Sequence, residues 1–253
     1  MDNRICGNYG EGIMNPENLR SYLPVKGDKP LEYLVLTAFR FRWFLCRRLG
    51  IRKILEIDLN RSPWSEPSII RDRIRNCRGV FIDVGAGVGA YAKIARSAKR
   101  IMCFEPDPRC IVELKKKLGG RVELFPLALG AWNGLQKFHI ANSILHSSLV
   151  KPTAQEKTTR LVAVEMLDNY TDKIKDGEEV VVKMDTEGAE HLILEGGRRF
   201  IVLHKPTLLI EYHDNLRDIY NVLRKYNYKV TALRKDVRAG FEHGWIVAEY
   251  ADR

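Results

Sequence analysis

The chain has 253 residues, of which 45% are hydrophobic and 29% are charged, and its net charge is +10. These values are typical of a soluble globular protein with one large core, and no repeat or low-complexity tract indicates a fibrous or disordered chain. The five cysteines are scattered without the paired spacing of a zinc site, which predicts reduced thiols in a cytoplasmic protein.

The first 77 residues are predicted to form an extension that is irregular at first and mostly helical afterwards. Residues 1–30 are rich in glycine and proline, and the polar start of the chain lacks the apolar core of a signal peptide. The elements predicted after residue 30 are a helix at 31–49, a strand at 54–59 and a helix at 67–77. Arg40 and Arg42 interrupt the first helix, so we expect no transmembrane segment, and interfacial membrane contact is the less favoured alternative.

The positive charge is concentrated in this first third of the chain. Residues 1–78 hold fifteen Lys and Arg against nine Asp and Glu, so they carry +6 of the net +10. Such a balance permits an anionic partner such as RNA, a phosphorylated metabolite or an acidic membrane surface. A solvated basic surface is the commoner explanation.

A glycine-rich loop follows the first strand of the main domain. Val80–Val84 is a short apolar run typical of a buried parallel strand, and three alternate glycines come directly after it: Gly85, Gly87 and Gly89. Glycines at this point let a ligand approach the backbone at the start of the next helix. The pattern predicts a nucleotide-binding loop, although such glycines can also serve only to pack a helix on a strand.

Two acidic residues bear on which nucleotide would bind. The glycine pattern also fits a dinucleotide site, in which Glu105 would be the ribose acid. Asp83, however, stands where pyrophosphate would meet an unfavourable carboxylate. A carboxylate there favours a cationic ligand, S-adenosyl-L-methionine, with Asp83 near its amino-acid end and Glu105 accepting hydrogen bonds from both ribose hydroxyls.

From residue 78 the chain alternates between strand and helix patterns, which is typical of a parallel sheet with right-handed crossovers. The predicted elements are strand 80–84, helix 90–98, strand 100–105, helix 107–118, strand 121–126, strand 180–185, helix 187–196, strand 207–213 and helix 215–226. Residues 127–178 depart from this alternation, with extended segments at 135–140 and 160–164, and predict a lid or substrate wall. Two further strands, at 229–233 and 245–250, should pair antiparallel at the sheet edge.

Several ordered motifs together resemble one family of enzymes. The motifs are Asp83-Val-Gly-Ala-Gly-Val-Gly89, Phe104-Glu-Pro-Asp-Pro108, Leu127-Ala-Leu-Gly130, Ser147-Ser-Leu149, Leu167-Asp168, Lys183-Met-Asp-Thr-Glu-Gly-Ala-Glu190 and Pro206-Thr-Leu-Leu-Ile-Glu-Tyr-His213. From about Arg78 to Tyr250 the chain resembles the FkbM family of S-adenosylmethionine-dependent methyltransferases. The resemblance implies an α/β class I methyltransferase fold, Rossmann-like, with a seven-stranded mostly parallel sheet of order 3-2-1-4-5-7-6 and an antiparallel last strand. It also implies methyl transfer, usually to a hydroxyl oxygen.

The resemblance assigns cofactor contacts by position. The three loop glycines would contact the methionine portion. Glu105, with Pro106 behind it, would contact the ribose, and Leu127 with Ala128 the adenine edge. Asp185 and Glu187 would lie beside the sulfonium and the incoming acceptor.

Catalytic and substrate-binding residues are expected where adjacent strands end. Methyl transfer from a sulfonium needs mainly positioning, and a base only where the acceptor is a hydroxyl of high pKa. Asp185 and His213 are the candidates to orient or deprotonate it, with Glu187 beside them. Glu187 and Glu190 could instead simply favour a helix dipole. The residues expected to contact substrate or the lid are Ser147, Ser148 and Glu211. We expect no metal, although Asp185, Glu211 and His213 form a sterically conceivable ligand set.

Three functions remain open from the sequence. The first is O-methylation of a sugar, glycan or small polar metabolite, the second RNA methylation, at a ribose 2′-hydroxyl or another site, and the third a non-catalytic nucleotide-binding module. Base-directed chemistry is disfavoured because Asp185-Thr-Glu187 replaces the Asn/Asp-Pro-Pro-aromatic turn used for exocyclic amines. An RNA acceptor would need a stripe of arginines leading to the crevice: Arg47, Arg48, Arg52, Arg71, Arg73, Arg75 and Arg78. A glycan would need aromatic and neutral polar partners such as Tyr170, Tyr212 and Ser148.

Overall fold

The computed structural model of the protein describes residues 67–141, 147–150, 156–213, 215–238 and 241–251. The helix predicted at 31–49 and the strand predicted at 54–59 lie outside the described residues, as does most of the predicted N-terminal extension. The division into a 1–77 extension and a 78–253 domain therefore stays a prediction.

The described chain alternates between helices and strands through most of its length. The helices are α1 (Ser68–Asn76), α2 (Ala90–Ile94), α3 (Pro108–Leu118), α4 (Glu190–Glu195), α5 (Arg198–His204) and α6 (Leu216–Lys225), with 3₁₀ turns at Gly119–Arg121 and Leu167–Lys173. The strands are β1 (Val80–Val84), β2 (Arg100–Phe104), β3 (Glu123–Phe125), β4 (Ala128–Gly130), β5 (Gly134–Ala141), β6 (Glu156–Met166), β7 (Val180–Met184), β8 (Thr207–His213), β9 (Tyr228–Arg238) and β10 (Phe241–Tyr250).

Seven strands form one mostly parallel sheet. Their order is β3-β2-β1-β7-β8-β10-β9, in which β10 runs antiparallel to both of its neighbours. Counted within this sheet alone, the order is 3-2-1-4-5-7-6, which confirms the predicted fold. Because parallel strands end at the same edge, the carboxyl ends of β1, β2 and β7 come together and place the segments after them side by side.

The excursion between β3 and β7 forms a second, smaller sheet. Its order is β4-β6-β5, in which β5 and β6 pair antiparallel over most of their length. The extended segments predicted at 135–140 and 160–164 both lie in these strands. Ser148 pairs with His139 through a backbone bridge, so the short described segment 147–150 is held against β5.

The large sheet is packed on both faces, because alternate residues of a strand point to opposite sides. In β1, Val80, Ile82 and Val84 join one apolar cluster, whereas Phe81 joins the other. Ile70 and Ile74 of α1 are fully buried in the same cluster as Phe81. Helix α1, which the sequence places in the extension, therefore shares a core with the main domain. Among the described residues, no helix is both long enough and apolar enough to span a membrane.

Candidate functional site

A cleft opens at the carboxyl-end edge of the large sheet. Its empty volume is about 670 Å³, counting space that is open to solvent. The predicted site residues that line it are Gly85, Gly87, Glu105, Pro106, Ala128, Ser147, Asp185 and Glu187. The structure thus brings together the cofactor residues expected after β1 and β2 and the catalytic residues expected after β7.

The three loop glycines serve different purposes. Gly85 has φ +70°, and a Cβ there would lie 2.0 Å from the Asp185 carbonyl oxygen, so this glycine permits the close approach of the β7 end. Gly89 has φ +80°, and a Cβ there would lie 2.8 Å from Leu118 Cδ1, so it serves helix packing. Gly87 has φ +53°, and apart from its chain neighbours no atom of the described residues lies within 4 Å of the position that a Cβ would take. Its open side faces the cleft and can admit a ligand.

Glu105 binds the glycine loop from the end of β2. Its carboxylate accepts hydrogen bonds of 2.7 Å from the backbone N–H groups of Gly87 and Asp107. The side chain is 5% exposed, and burial raises the pKa of Glu105 to about 7 despite these hydrogen bonds. Each oxygen retains a lone pair that can accept from a ligand, so the residue can hold both the loop and a hydroxyl-bearing ligand.

Asp83 lies behind the cleft wall, fully buried. Its Oδ1 is 3.2 Å from the Lys183 ammonium, which also donates a 2.9 Å hydrogen bond to the Gly85 carbonyl and lies 3.7 Å from Asp185 Oδ2. Burial lowers the pKa of Lys183, but Asp83 and Asp185 outweigh it and raise that pKa overall. The proposed contact between Asp83 and a cofactor stays a prediction. What the structure adds is a buried ion pair beneath the loop.

A second ion pair, between Asp107 and Arg109, lies at the start of α3, and Ser147 links it to the segment after β5. Asp107 caps α3, and both of its oxygens contact the Arg109 guanidinium at 2.7 to 3.2 Å. Ser147 donates to Asp107 Oδ2 at 3.1 Å and lines the cleft. Burial raises the pKa of the Asp107 carboxyl, but Arg109 and Ser147 outweigh this effect, so that the pKa is lowered overall. Ser147 is thus placed where a lid or ligand contact was expected.

Ser148 and Leu127 occupy different surroundings from those predicted. Ser148 is 1% exposed, and its hydroxyl contacts the Thr186 and Glu187 carbonyls and accepts from Val150 N–H. Ser148 therefore holds the β7–α4 loop, and its neighbour Ser147 lines the cleft. Leu127 packs in the main apolar cluster, whereas Ala128 lines the cleft.

The aromatic partners expected for a glycan are also buried away from the cleft. Tyr212 is fully buried, and Tyr170 packs edge-on against Phe104 and Phe125 with its hydroxyl donating to Glu165 at 2.8 Å. Tyr170, Tyr212 and Ser148 therefore do not supply the acceptor surface that a glycan would need. Both tyrosines belong to the main apolar cluster of the core.

The loop after β7 is shaped by Glu190, which is fully buried. Its Oε1 accepts from the Thr186 and Gly188 N–H groups and from the Thr186 hydroxyl, and its Oε2 accepts from Asn215 at 2.7 Å. Asn215 in turn accepts from the His213 backbone N–H at 3.2 Å. Glu190 therefore acts as a loop anchor, a role beyond the helix-dipole effect expected of it, and it fixes Glu187 relative to His213.

Glu187 and His213 face each other beside the cleft. His213 Nε2 lies 3.6 Å from Glu187 Oε2, and Glu187 has φ +57°, a left-handed conformation that is uncommon for a residue with a Cβ. Burial lowers the pKa of His213, but four surrounding carboxylates, Glu187 first, raise it overall. This geometry agrees with a polar catalytic centre at the ends of β7 and β8.

Glu211 has a partner that the sequence did not indicate. His243 of β10 lies with its Nε2 2.6 Å from Glu211 Oε1, and its ring centroid is 4.8 Å from that of His213. Burial and the nearby Asp185 raise the pKa of Glu211 to about 7, although both histidines oppose this shift. Glu211 was expected to bind substrate, and that role stays a prediction.

Comparison with known proteins gives the family. Residues 83–230 match the model of the methyltransferase FkbM domain, which is more than half of the chain. The chain belongs to the FkbM methyltransferase family. The predicted family is confirmed.

Three matching proteins are similar to the chain at low sequence identity. The chain is 26% identical over 155 residues to the 2-O-methyltransferase NoeI of Sinorhizobium fredii. The matched region covers 53% of this chain and 63% of that relative. The chain is also similar to the crystal structure of methyltransferase FkbM from Methylobacillus flagellatus, with 22% identity, a TM-score of 0.45, and coverage of 67% of this chain and 43% of the other. An rRNA methylase from Streptococcus thermophilus gives a TM-score of 0.46 at 10% identity over 73% and 95% of the two chains.

Membership of this FkbM family implies use of S-adenosylmethionine, and the cleft residues fit that ligand. The open side of Gly87 leaves room for a ligand against the loop backbone. Glu105 offers acceptor oxygens to a diol, and Ala128 with Leu129 gives an apolar wall suited to a purine face. No phosphate-binding cation is needed for such a ligand, whereas Asp185 and Glu187 would repel a pyrophosphate.

Proposed function

We propose that this methyltransferase transfers a methyl group from S-adenosylmethionine to a hydroxyl oxygen of a sugar, glycan or small polar metabolite. The observation that carries the proposal is the position of Asp185. Its carbonyl oxygen contacts the turn at Gly85, and its carboxylate lines the cleft next to Glu187, which faces His213. A group held by the glycine loop therefore lies beside an acid and base cluster that can receive an acceptor.

The cofactor-binding part of the proposal assigns roles to the loop and to β2. Gly85 and Gly87 would accommodate the methionine portion, Glu105 the ribose hydroxyls, and Ala128 the adenine edge. The cofactor, when bound, supplies an electrophilic methyl group on a sulfonium. The protein then has to align the acceptor oxygen, exclude water and accept one proton.

Proton removal from the acceptor is assigned to the β7 and β8 ends. Asp185 and Glu187 line the cleft, and His213 has a ring nitrogen within 4.8 Å of a carboxylate oxygen of each. An acceptor hydroxyl bound beside this group can donate to a carboxylate or to the imidazole. Glu187, close to His213, would hold the ring in place and favour its protonated form after transfer. This arrangement suits a hydroxyl acceptor, whose proton must be lost.

Two observations favour a metabolite or glycan over RNA, and a glycan would have to use partners other than the buried Tyr170, Tyr212 and Ser148. Arg78 lies at the amino-terminal edge of the sheet, where its N–H donates to Glu179, and Arg73 of α1 pairs with Glu249 at that same edge. Five strand residues, about 16 Å, separate this edge from the cleft. Among the described residues, the α1 arginines thus do not lead into the cleft, and the remaining arginines, at 47, 48 and 52, lie outside those residues. The relative NoeI is a 2-O-methyltransferase, which supports oxygen as the accepting atom.

A cytoplasmic setting is part of this proposal. Cys77, Cys103 and Cys110 are buried thiols, and burial raises the pKa of each, to about 11 for Cys77 and about 12 for Cys110. Such thiols are well suited to a reducing compartment.

The experiment follows the methyl group. Purified protein and S-adenosylmethionine labelled in the methyl group are incubated with fractionated cell extract, half of which is treated with nuclease. Label should enter a nuclease-resistant polar fraction, and mass spectrometry of the product should place it on oxygen. Label that disappears with nuclease would replace the proposal with RNA methylation, and label on nitrogen would reject O-methylation.

A further inference from the structure

Three metal-ligating side chains meet at one corner of the large sheet. Glu211 and His213 are two residues apart on β8, so they point to the same face. His243 is the direct cross-strand partner of His213 in the antiparallel pairing of β8 with β10. Residues opposite each other in such a pair share a face, so the register alone brings a carboxylate and two imidazoles together.

Their ligand atoms are close enough to share one ion. One ligand atom from each of Glu211, His213 and His243 lies within 4.8 Å of the others, and the same holds for Asp185, Glu187 and His213. Ligands about 2.1 Å from a metal lie about 3 to 4 Å from one another, so only small side-chain shifts would close either set. His213 belongs to both sets and joins them.

The charges around His213 also favour a cation. Asp185, Glu187 and Glu211 bring three carboxylates to this corner. The Lys183 ammonium, 3.7 Å from Asp185, is shared with Asp83 and the Gly85 carbonyl. The Nδ1 atom of His213 is buried and has no hydrogen-bond partner within the described structure. A dication would offset the carboxylates and use imidazole nitrogen as a ligand.

We propose that Glu211, His213 and His243 bind one divalent transition-metal ion, with Glu187 facing it from the β7–α4 loop. Two imidazoles and one carboxylate favour Mn²⁺, Fe²⁺, Co²⁺ or Zn²⁺ over Mg²⁺ and Ca²⁺, which prefer oxygen ligands. Three protein ligands leave coordination positions open, as in catalytic rather than structural sites.

The role of the ion rests on the proposed function. The ion binds the acceptor hydroxyl at an open position and lowers the pKa of that hydroxyl, and Asp185 on the cleft wall accepts the released proton. With the ion bound, His213 is a neutral ligand and no longer a candidate base, so Asp185 alone accepts the proton. The metal site itself is defined by Glu211, His213 and His243 and does not depend on which acceptor is used.

The test measures metal binding without cofactor or acceptor. Full-length protein lacking any histidine tag is treated with a chelator, dialysed, and titrated with Mn²⁺ while electron paramagnetic resonance reports the free ion. Co²⁺ absorption then reports the ligand geometry. The variants are Glu211→Gln and His243→Asn, and His139→Asn on β5 is the matched control, because it removes an imidazole from outside the cluster.

The expected result is one saturable site per chain, weakened at least about tenfold by Glu211→Gln and by His243→Asn and unchanged by His139→Asn. Circular dichroism checks folding, and if His243→Asn does not fold, Glu211→Gln decides alone. No saturable binding of Mn²⁺, Co²⁺ or Zn²⁺, or equal binding by the wild type and Glu211→Gln, would overturn the proposal. Metal binding without methylation of any hydroxyl would reject only the proposed function.

Discussion

The Lys183 ammonium lies 3.2 Å from Asp83 Oδ1, and both side chains are buried beneath the glycine loop. Because Lys183 also donates to the Gly85 carbonyl, the pair ties β7 to the start of the loop. A buried ion pair contributes little when intact, since the desolvation of both charges offsets their attraction. Removing one partner is costly, because it leaves the other charge buried alone.

We predict that Lys183→Met lowers the free energy of unfolding by about 3 to 5 kcal/mol. Urea denaturation of the variant and the wild type measures the difference. Arg199→Met is the control, because the Arg199–Asp172 pair is exposed and should contribute less than about 1 kcal/mol. The double variant Asp83→Asn with Lys183→Met should recover part of the lost stability, because it removes the unpaired carboxylate as well. If Lys183→Met lowers the free energy of unfolding no more than the control does, burying Asp83 without its cation is not costly and the prediction is wrong.

We predict that the protein binds S-adenosylmethionine and its demethylated product in preference to NAD. The physical reason is the cleft itself, in which Glu105 can accept from ribose hydroxyls while Asp185 and Glu187 disfavour a pyrophosphate. Titration calorimetry with the three ligands measures the order. Glu105→Ala should weaken cofactor binding by about 1.5 to 3 kcal/mol, and Glu113→Ala on the exposed side of α3 should not. Tighter binding of NAD would contradict the assignment.

We predict that Glu105 makes stability depend on pH in a defined direction. Its pKa is about 7 in the folded protein, above the usual value of 4.5, so the folded state binds more protons between these values. Stability contributed by Glu105 is therefore highest below pH 4.5 and falls by about 3 kcal/mol as pH rises to about 7. Glu105→Gln does not titrate, so the difference in unfolding free energy between the wild type and the variant should change by this amount across that range.

Cofactor binding should show the opposite dependence on pH. Ribose hydroxyls donate to the carboxylate form of Glu105, so affinity should rise as pH increases through 7 and binding should release a proton. Calorimetry in buffers of different ionisation enthalpy measures that proton. A pH-independent affinity, with no proton released in the wild type, would show that Glu105 supports the loop without contacting the cofactor.

Much of the sheet could be predicted from sequence, because buried parallel strands are short apolar runs. Val80–Val84 and Val180–Met184 are buried along their whole length and were recognised with nearly correct ends. The last two strands were predicted too short. β9 and β10 have 11 and 10 residues. Their ends are held by backbone pairing between the two strands, and a charged segment such as Arg234–Arg238 carries no apolar pattern from which that pairing could be predicted.

The site was predictable only where its residues follow a strand directly. Asp185 and Glu105 are at strand ends, and both line the cleft. His243 was missed because it joins Glu211 only through the register of an edge hairpin about 30 residues away in sequence. Ser148 was assigned to the cleft because a sequence does not show which of two adjacent hydroxyls turns inward.

The last prediction concerns the chemical step. Asp185→Asn keeps the size of the side chain and the backbone contact with Gly85, but it removes the carboxylate from the cleft wall. Cofactor affinity should therefore stay nearly unchanged, whereas methyl transfer should slow by about 100-fold or more, the scale of an acid-base or orienting group. His213→Ala should also reduce turnover. Calorimetry gives the affinity, and single-turnover transfer of labelled methyl to the acceptor gives the rate. Asp172→Asn, at an exposed position, is the control for loss of a carboxylate. Equal losses of affinity and rate in Asp185→Asn would mean that Asp185 holds the cofactor and does not act on the acceptor.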